Sequence, residues 1–458
     1  MSQDSHSFFR RAFIRFAAGH PLDSLHALRK WERALLRQIL LSAAVGVATG
    51  LLIAAVDYLV RDQAVWFLYD ITSPTILLFL PLSALVVARL CVRYLVPGRE
   101  GELTEDYIFV FHEQERRMRL ANLPGKLLAS LVTIAGGGAL GLEGPAVYLG
   151  ANLGDSLQRF NERLFAEEHR KMLLVAGAAA GMAALFKAPL TGVIFALEVP
   201  YLNGLAGFAL VPALVASTSG YLTFAFMVGS EPLFKVVPPK GFDLEDILLA
   251  AALGLLCALG ARLFAVSLHG AAALRERLPA WASVGLCGVG VGAIAVVVFS
   301  LFGQSMTLGP GYRLIQGVLD SRMELSGLAI LFAARFMATV LTVGGGGIGG
   351  LFFPQAVMGF LLGCIAARFA PGATTGLLPL VGLASFVAAG YRVPLAAVAF
   401  VAETTGTAWA FIPGAVASVI AFLAMGSSGI SRRQRPFHDE APGQKALNAS
   451  NQSGGDVR

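Results

Sequence analysis

Long apolar runs separated by short polar stretches recur along the whole chain. Residues 38–60, 74–95, 248–268 and 282–302 carry few charges, and each is close to the roughly 20 residues that cross a ~30 Å hydrocarbon layer as a helix. None alternates apolar and polar positions with the two-residue period of a barrel strand. Because lipid admits only helices and closed barrels as spanning structures, the pattern predicts an all-α integral membrane protein with many spans.

Composition points the same way. Of 458 residues, 56% are hydrophobic and only 14% charged, too little charge to cover the surface of a soluble domain of this length. The net charge of +6 does not argue for nucleic acid, because much of it gathers at the chain ends. Arg10, Arg11, Arg15, Arg29, Lys30, Arg33 and Arg37 lie in the first 37 residues, and Arg432, Arg433 and Arg435 lie after the last apolar run. The positive-inside rule then puts both termini in the cytoplasm. Residues 1–37 read as a basic interfacial lead-in without a signal-peptide cleavage pattern, 38–430 as the transmembrane domain, and 431–458 as a short disordered cytoplasmic tail. Cys91, Cys257, Cys287 and Cys364 all sit in apolar runs. They read first as buried small hydrophobes, with a metal site or disulfide as the other reading. The seven histidines form no ligand-spaced cluster, so neither metal nor cofactor is expected.

The two halves of the chain repeat each other. The segment from Lys187 through Pro189 to Glu198 matches that from Arg392 through Pro394 to Glu403, at an offset of 205 residues. Upstream, the run from Gly136 to Pro145 aligns with that from Gly345 to Pro354 at an offset of 209. Repeats at about 38–230 and 240–430 are the signature of transport folds whose sites lie between two halves, where broken helices end inside the bilayer. Glycine permits unwound backbone, and the proline beside it suits the first turn of a new helix. Close helix–helix packing is the alternative use of such glycines.

A helix that starts at mid-membrane aims unpaired N–H groups and a positive dipole end into the cavity. Two such starts, after Gly144 and around residues 351–353, would hold an anion by partial charges that still let it leave. Lys126, Arg262 and Arg335 would bias the interior positive, or else snorkel or pair. Glu143 stands between Gly141-Leu142 and Gly144-Pro145, where a carboxylate is costly unless used. Its ionised head could occupy the anion position and block the path, and protonation would release it. The alternative is a local helix cap.

At these residues the chain resembles the CLC family of chloride channels and proton-coupled chloride exchangers, over roughly residues 38–430. The likeness rests on the segments 141–145, 177–192, Gly309 to Tyr312, and 350–354. It implies a bacterial inner-membrane homodimer with one anion pathway per subunit, about eighteen helices in two inverted halves, membrane lipid around it, and chloride or a similar anion as cargo. It makes Glu143 the gate. It assigns anion binding to Gly141, Leu142, Gly144, Pro145, Ala146, Val147, Gly350, Leu351, Phe352 and Phe353, with Ile430 at the inner end of the pathway.

Departures from the family pattern bear on mechanism. The first signature should fall near residues 101–105 but is not recognisable, and Thr104 is only a guess for its serine. Ile430 stands where the family has a tyrosine, and Leu142 where it has arginine. Val199 stands at the internal proton-relay glutamate, while Glu198 and Glu403 match each other and suggest helix-end roles. The tail is too short for the paired nucleotide-sensing domains of some relatives. These residues favour a passive, voltage- or pH-dependent chloride channel. A proton-coupled exchanger using Glu102, Glu105 or Asp106 is the alternative. An intramembrane enzyme is the remote one, since no Ser–His, Cys–His, HExxH or paired-aspartate motif occurs.

Overall fold

The computed structural model describes residues 21–60, 68, 70–97, 103–113, 115–161, 171–234, 236, 241–321, 323–370, 372, 374 and 376–437. Residues 1–20 of the expected lead-in, Gly101 and Glu102 of the displaced signature, and residues 438–458 of the expected tail lie outside the described residues.

Among the described residues there are sixteen α-helices, against the eighteen or so implied. The first half holds α1 (Pro21–Asp57), α2 (Pro74–Leu95), α3 (Leu103–His112), α4 (Leu123–Ala135), α5 (Glu143–Phe160), α6 (Met172–Phe186), α7 (Pro189–Glu198) and α8 (Leu210–Val228). The second holds α9 (Leu244–Arg277), α10 (Ala280–Phe302), α11 (Tyr312–Asp320), α12 (Leu325–Gly344), α13 (Phe352–Phe369), α14 (Leu377–Tyr391), α15 (Pro394–Thr405) and α16 (Phe411–Met425). Eight helical segments are long and apolar enough to cross a membrane. Most of the other helices are too short, and α5, at 18 residues, is too polar. Helices α7 and α15, of 10 and 12 residues, reach only about 15–18 Å at 1.5 Å per residue.

Layering follows from which helices are apolar on every side. All residues of α6 and all of α14 are buried, as an all-round apolar helix must be inside a larger protein. The long outer helices instead expose Leu, Val and Phe outward. Helix α6 packs on α5 at Gly177 and Gly150, where a Cβ on either would strike the other's carbonyl oxygen. Helix α14 packs on α13 the same way through Gly382 and Gly359. These four glycines, which lie outside the two glycine runs, thus serve close helix–helix packing.

The halves also match in local geometry. Lys187 and Arg392, at φ 55° and 60°, are the only non-glycine residues with positive φ among the described ones. They end α6 and α14, turning the chain into the prolines that open α7 and α15. Across the molecule, Glu198 accepts the Leu395 and Ala396 N–H groups at 3.2 and 3.0 Å. Glu403 accepts those of Leu190 and Thr191 at 2.9 and 2.7 Å, and the Thr191 hydroxyl at 2.7 Å. Each glutamate thus caps the other half's short helix. Residue i of one unit touching j of its mate, and j touching i, is what a two-fold axis produces.

Candidate functional site

The axis passes through the two glycine runs. After α4 and α12 the chain turns at Gly137 and Gly346, both left-handed at φ 91° and 83°. Ile348 N–H then donates to Thr133 Oγ1 and Ala139 N–H to Thr342 Oγ1, both at 3.2 Å. Between these bonds Gly141 and Gly350 pair as an isolated antiparallel bridge, N–H to carbonyl at 2.9 and 2.8 Å.

Just beyond the bridge, α5 begins at Glu143 and α13 at Phe352. Helix α5 therefore starts one residue before Gly144, rather than after it. Neither N-cap residue, Leu142 or Leu351, supplies a side-chain cap, so the first N–H groups of both helices must find partners elsewhere. The Glu143 carboxylate is one such partner. Its Oε1 accepts Phe353 N–H at 3.0 Å, and the N–H groups of Phe352 and of Glu143 itself also face it. Oε2 is buried without a hydrogen-bond partner among the described residues. A Cβ on Gly141 or on Gly350 would run into this carboxyl, so the bridge leaves room for it only because both residues are glycine. Donors and dipole at the start of α13 thus hold a carboxylate that is only 1% exposed, which an apolar pocket would not tolerate.

Three of the other main-chain donors assigned from the resemblance are already engaged. Gly141 and Gly350 are bonded to each other, and Ala146 N–H goes to Leu142 O at 3.0 Å. Pro145 has no N–H, and Val147 lies buried in the first turns of α5. The Phe352 and Phe353 rings pack away from the carboxylate. Phe352 meets Phe400, Phe195 and Phe186 at 5.0, 5.4 and 5.7 Å between centroids. Phe353 meets Tyr312 at 4.2 Å. The ring of Tyr312 comes from the segment Gly309 to Tyr312, whose turn surrounds Arg335. That guanidinium, fully buried, donates to the carbonyls of Thr307, Gly309 and Pro310 at 3.1, 2.7 and 2.5 Å and lies within electrostatic reach of Glu143. Lys126 is ion-paired with Asp106, and Arg262 donates to Met425 O at 3.1 Å.

Val199 and Ile430 are linked through residues that the sequence did not flag. Val199 is fully buried at the end of α7. Its carbonyl accepts Gln434 Nε2 at 2.9 Å, and the same amide donates to Tyr391 O at 2.8 Å. Ile430 N–H donates to Gly390 O at 3.0 Å. Tyr391 sets its ring 6.2 Å from that of Phe352. The tail expected from Ser431 onward instead packs as far as Phe437, because Leu202 N–H and Arg435 N–H pair with Arg435 O and Pro200 O. This strap has neither an apolar period nor a repeat to mark it in the sequence. Thr104 is buried in the first turn of α3, and no hydrogen bond joins it to the Glu143 site among the described residues.

Residues 83–426 match the sequence model of the family described as Voltage gated chloride channel. The chain belongs to that family. Among its relatives is the H(+)/Cl(-) exchange transporter ClcA of Yersinia pseudotuberculosis, 27% identical over 82% of this chain and 81% of that protein. The transporter of the same name from Citrobacter koseri is 26% identical over 90% of each. A solved CLC-type fluoride/proton antiporter superposes with a TM-score of 0.76 at 23% identity, covering 88% of this chain and 98% of its own. A slow cyanobacterial Cl-/H+ antiporter gives 0.76 at 21% identity, covering 92% and 99%. The fold is thus the CLC fold of two inverted halves, and the chain is an anion transport protein of that family.

Proposed function

We propose that this CLC-family chain is a chloride channel in which the Glu143 carboxylate occupies an anion position at the start of α13 and opens the path when protonated. The observation that carries this reading is the hydrogen bond from Phe353 N–H to Glu143 Oε1 at 3.0 Å. A main-chain donor that holds a carboxylate oxygen can equally hold a halide, and protonation weakens the attachment. Gly144, Leu351, Phe352 and Phe353 supply the main-chain frame, and Gly141 and Gly350 clear the space. Passive conduction is favoured by Val199, which cannot carry a proton, and by Ile430, which brings no hydroxyl to the inner end. The transmembrane domain spans about 38–430, with repeats at 38–230 and 240–430. Two copies associate in a bacterial inner membrane with their termini in the cytoplasm, each copy with its own pathway.

Coupled H+/Cl- exchange is the second reading, favoured by the relatives named as exchange transporters. The deciding experiment is the reversal potential of purified protein in proteoliposomes under opposed chloride and pH gradients. Passive conduction gives the chloride equilibrium potential at every pH gradient. A reversal potential displaced by a fixed whole-number ratio of chloride to protons makes the chain an exchanger.

A further inference from the structure

A cavity of about 280 Å³ opens where the ends of α3 and α5 approach the strap that follows α16. Arg116, Arg117, Arg119 and Arg159 line it, together with Phe109 and Tyr148. Lys126 and Arg433 stand behind its wall, paired with Asp106. Among the described residues that line or back the cavity, three carboxylates, those of Asp106, Glu115 and Asp155, stand against these six cations.

Four of the cationic heads, those of Arg116, Arg117, Arg159 and Arg433, are held before any ligand arrives. Fully buried Asp155 holds Arg117 at 3.3 Å and Arg159 at 3.9 Å, and accepts Met118 N–H at 2.9 Å. The Phe109 ring carries two guanidinium groups, with the Arg433 and Arg116 carbons 4.5 and 5.7 Å from its centroid. The positive-inside rule accounts for basic residues at one end of a membrane protein. It does not account for gathering them around one recess and anchoring them on a carboxylate and a ring. Guanidinium forks match the oxygens of phosphate two at a time, which a spherical halide cannot exploit, and anchored heads lose little freedom on binding.

We infer that this cavity binds a phosphate group, either the headgroup of an anionic lipid or a free phosphate ester. The site is separate from the Glu143 position and independent of whether the chain conducts or exchanges. Tyr148, in its inner wall, is five residues from Glu143 along α5, about 7.5 Å of helix rise. An occupant therefore rests against the helix that carries the gate.

Two binding arms test this with the full-length protein. In zwitterionic detergent at constant ionic strength, calorimetry compares inorganic phosphate and pyrophosphate with nitrate. In nanodiscs, the melting temperature in phosphatidylcholine alone is compared with that after adding phosphatidylglycerol. Tighter binding of pyrophosphate than nitrate identifies a free phosphate ester, and a phosphatidylglycerol-dependent rise in melting temperature identifies a lipid headgroup. In whichever arm responds, R116Q/R119Q weakens the effect by about tenfold or more, the scale of one charge-assisted hydrogen bond. R277Q, at the end of α9, leaves it unchanged. Both arms indifferent in the wild-type protein, or an equal loss in R277Q, would overturn the assignment. The wild-type comparison alone decides if R116Q/R119Q fails to fold.

Discussion

Gly141 and Gly350 exchange both of their main-chain hydrogen bonds, at 2.9 and 2.8 Å, and the Glu143 carboxyl fills the space that their missing side chains leave. One pair of residues thereby joins the two halves of the protein and sets the position of its buried carboxylate. Neither could carry a Cβ without moving Glu143.

G350A is accordingly expected to push the carboxyl off Phe353 N–H and to press on the Gly144 main chain, while keeping the N–H of residue 350. G350P removes that N–H as well and breaks the bridge. Chloride or bromide calorimetry should show altered affinity in G350A and loss of binding in G350P. Full affinity in a folded G350P variant would count against the site.

F352A separates side chain from backbone at the same place. The ring lies among Phe186, Phe195 and Phe400, so its removal is expected to destabilise the protein by about 3–5 kcal/mol. The N–H that faces Glu143 remains. Thermal unfolding and ion titration on one preparation should show a large loss of stability with anion selectivity retained. Selectivity lost in step with stability would mean that the ring, and not the backbone, sets the site.

The crossed caps give a graded prediction. Glu403 accepts two N–H groups and a hydroxyl, whereas Glu198 accepts two N–H groups. E403A should therefore destabilise more than E198A, by roughly one further hydrogen bond, or about 1 kcal/mol, and T191V should account for much of that difference. Melting temperatures in one detergent check the order, and a larger effect of E198A would contradict it.

Much of this was legible in the chain. The two offsets, 209 and 205 residues, place the glycine runs and the proline-led helices in register, and the position of Glu143 between glycines marks it as the costly charge. The matching of Glu198 with Glu403 suggested helix ends, but nothing local says that each caps the other half's helix. Such partners lie about two hundred residues away and are chosen by tertiary approach. Arg335 shows the same limit. Its sequence neighbours are apolar, and its acceptors are three carbonyls of a loop exposed to it only by the fold. Gln434 was hidden in a polar strap without periodicity, where composition suggested disorder.

V199E tests whether one residue makes the difference between conduction and exchange. Val199 is fully buried beside Glu198, with its carbonyl tied to Gln434, and on the proposed reading Ile430 brings no hydroxyl to the inner end. The single substitution is therefore expected not to give tightly coupled exchange. Uphill proton movement driven by a chloride gradient in V199E proteoliposomes would show that the relay position alone sets coupling.

The central claim is that the carboxylate of Glu143 occupies an anion position and releases it on protonation. The most direct measurement is chloride flux from proteoliposomes between pH 4 and pH 8 (about the range over which carboxylates titrate when perturbed), for the wild-type protein and E143Q. Protonation removes the charge that Phe353 N–H holds, so wild-type flux should rise as pH falls. E143Q, uncharged throughout, should carry a high flux that does not vary with pH. A folded E143Q protein that keeps the wild-type pH profile would contradict the account and place the gate elsewhere.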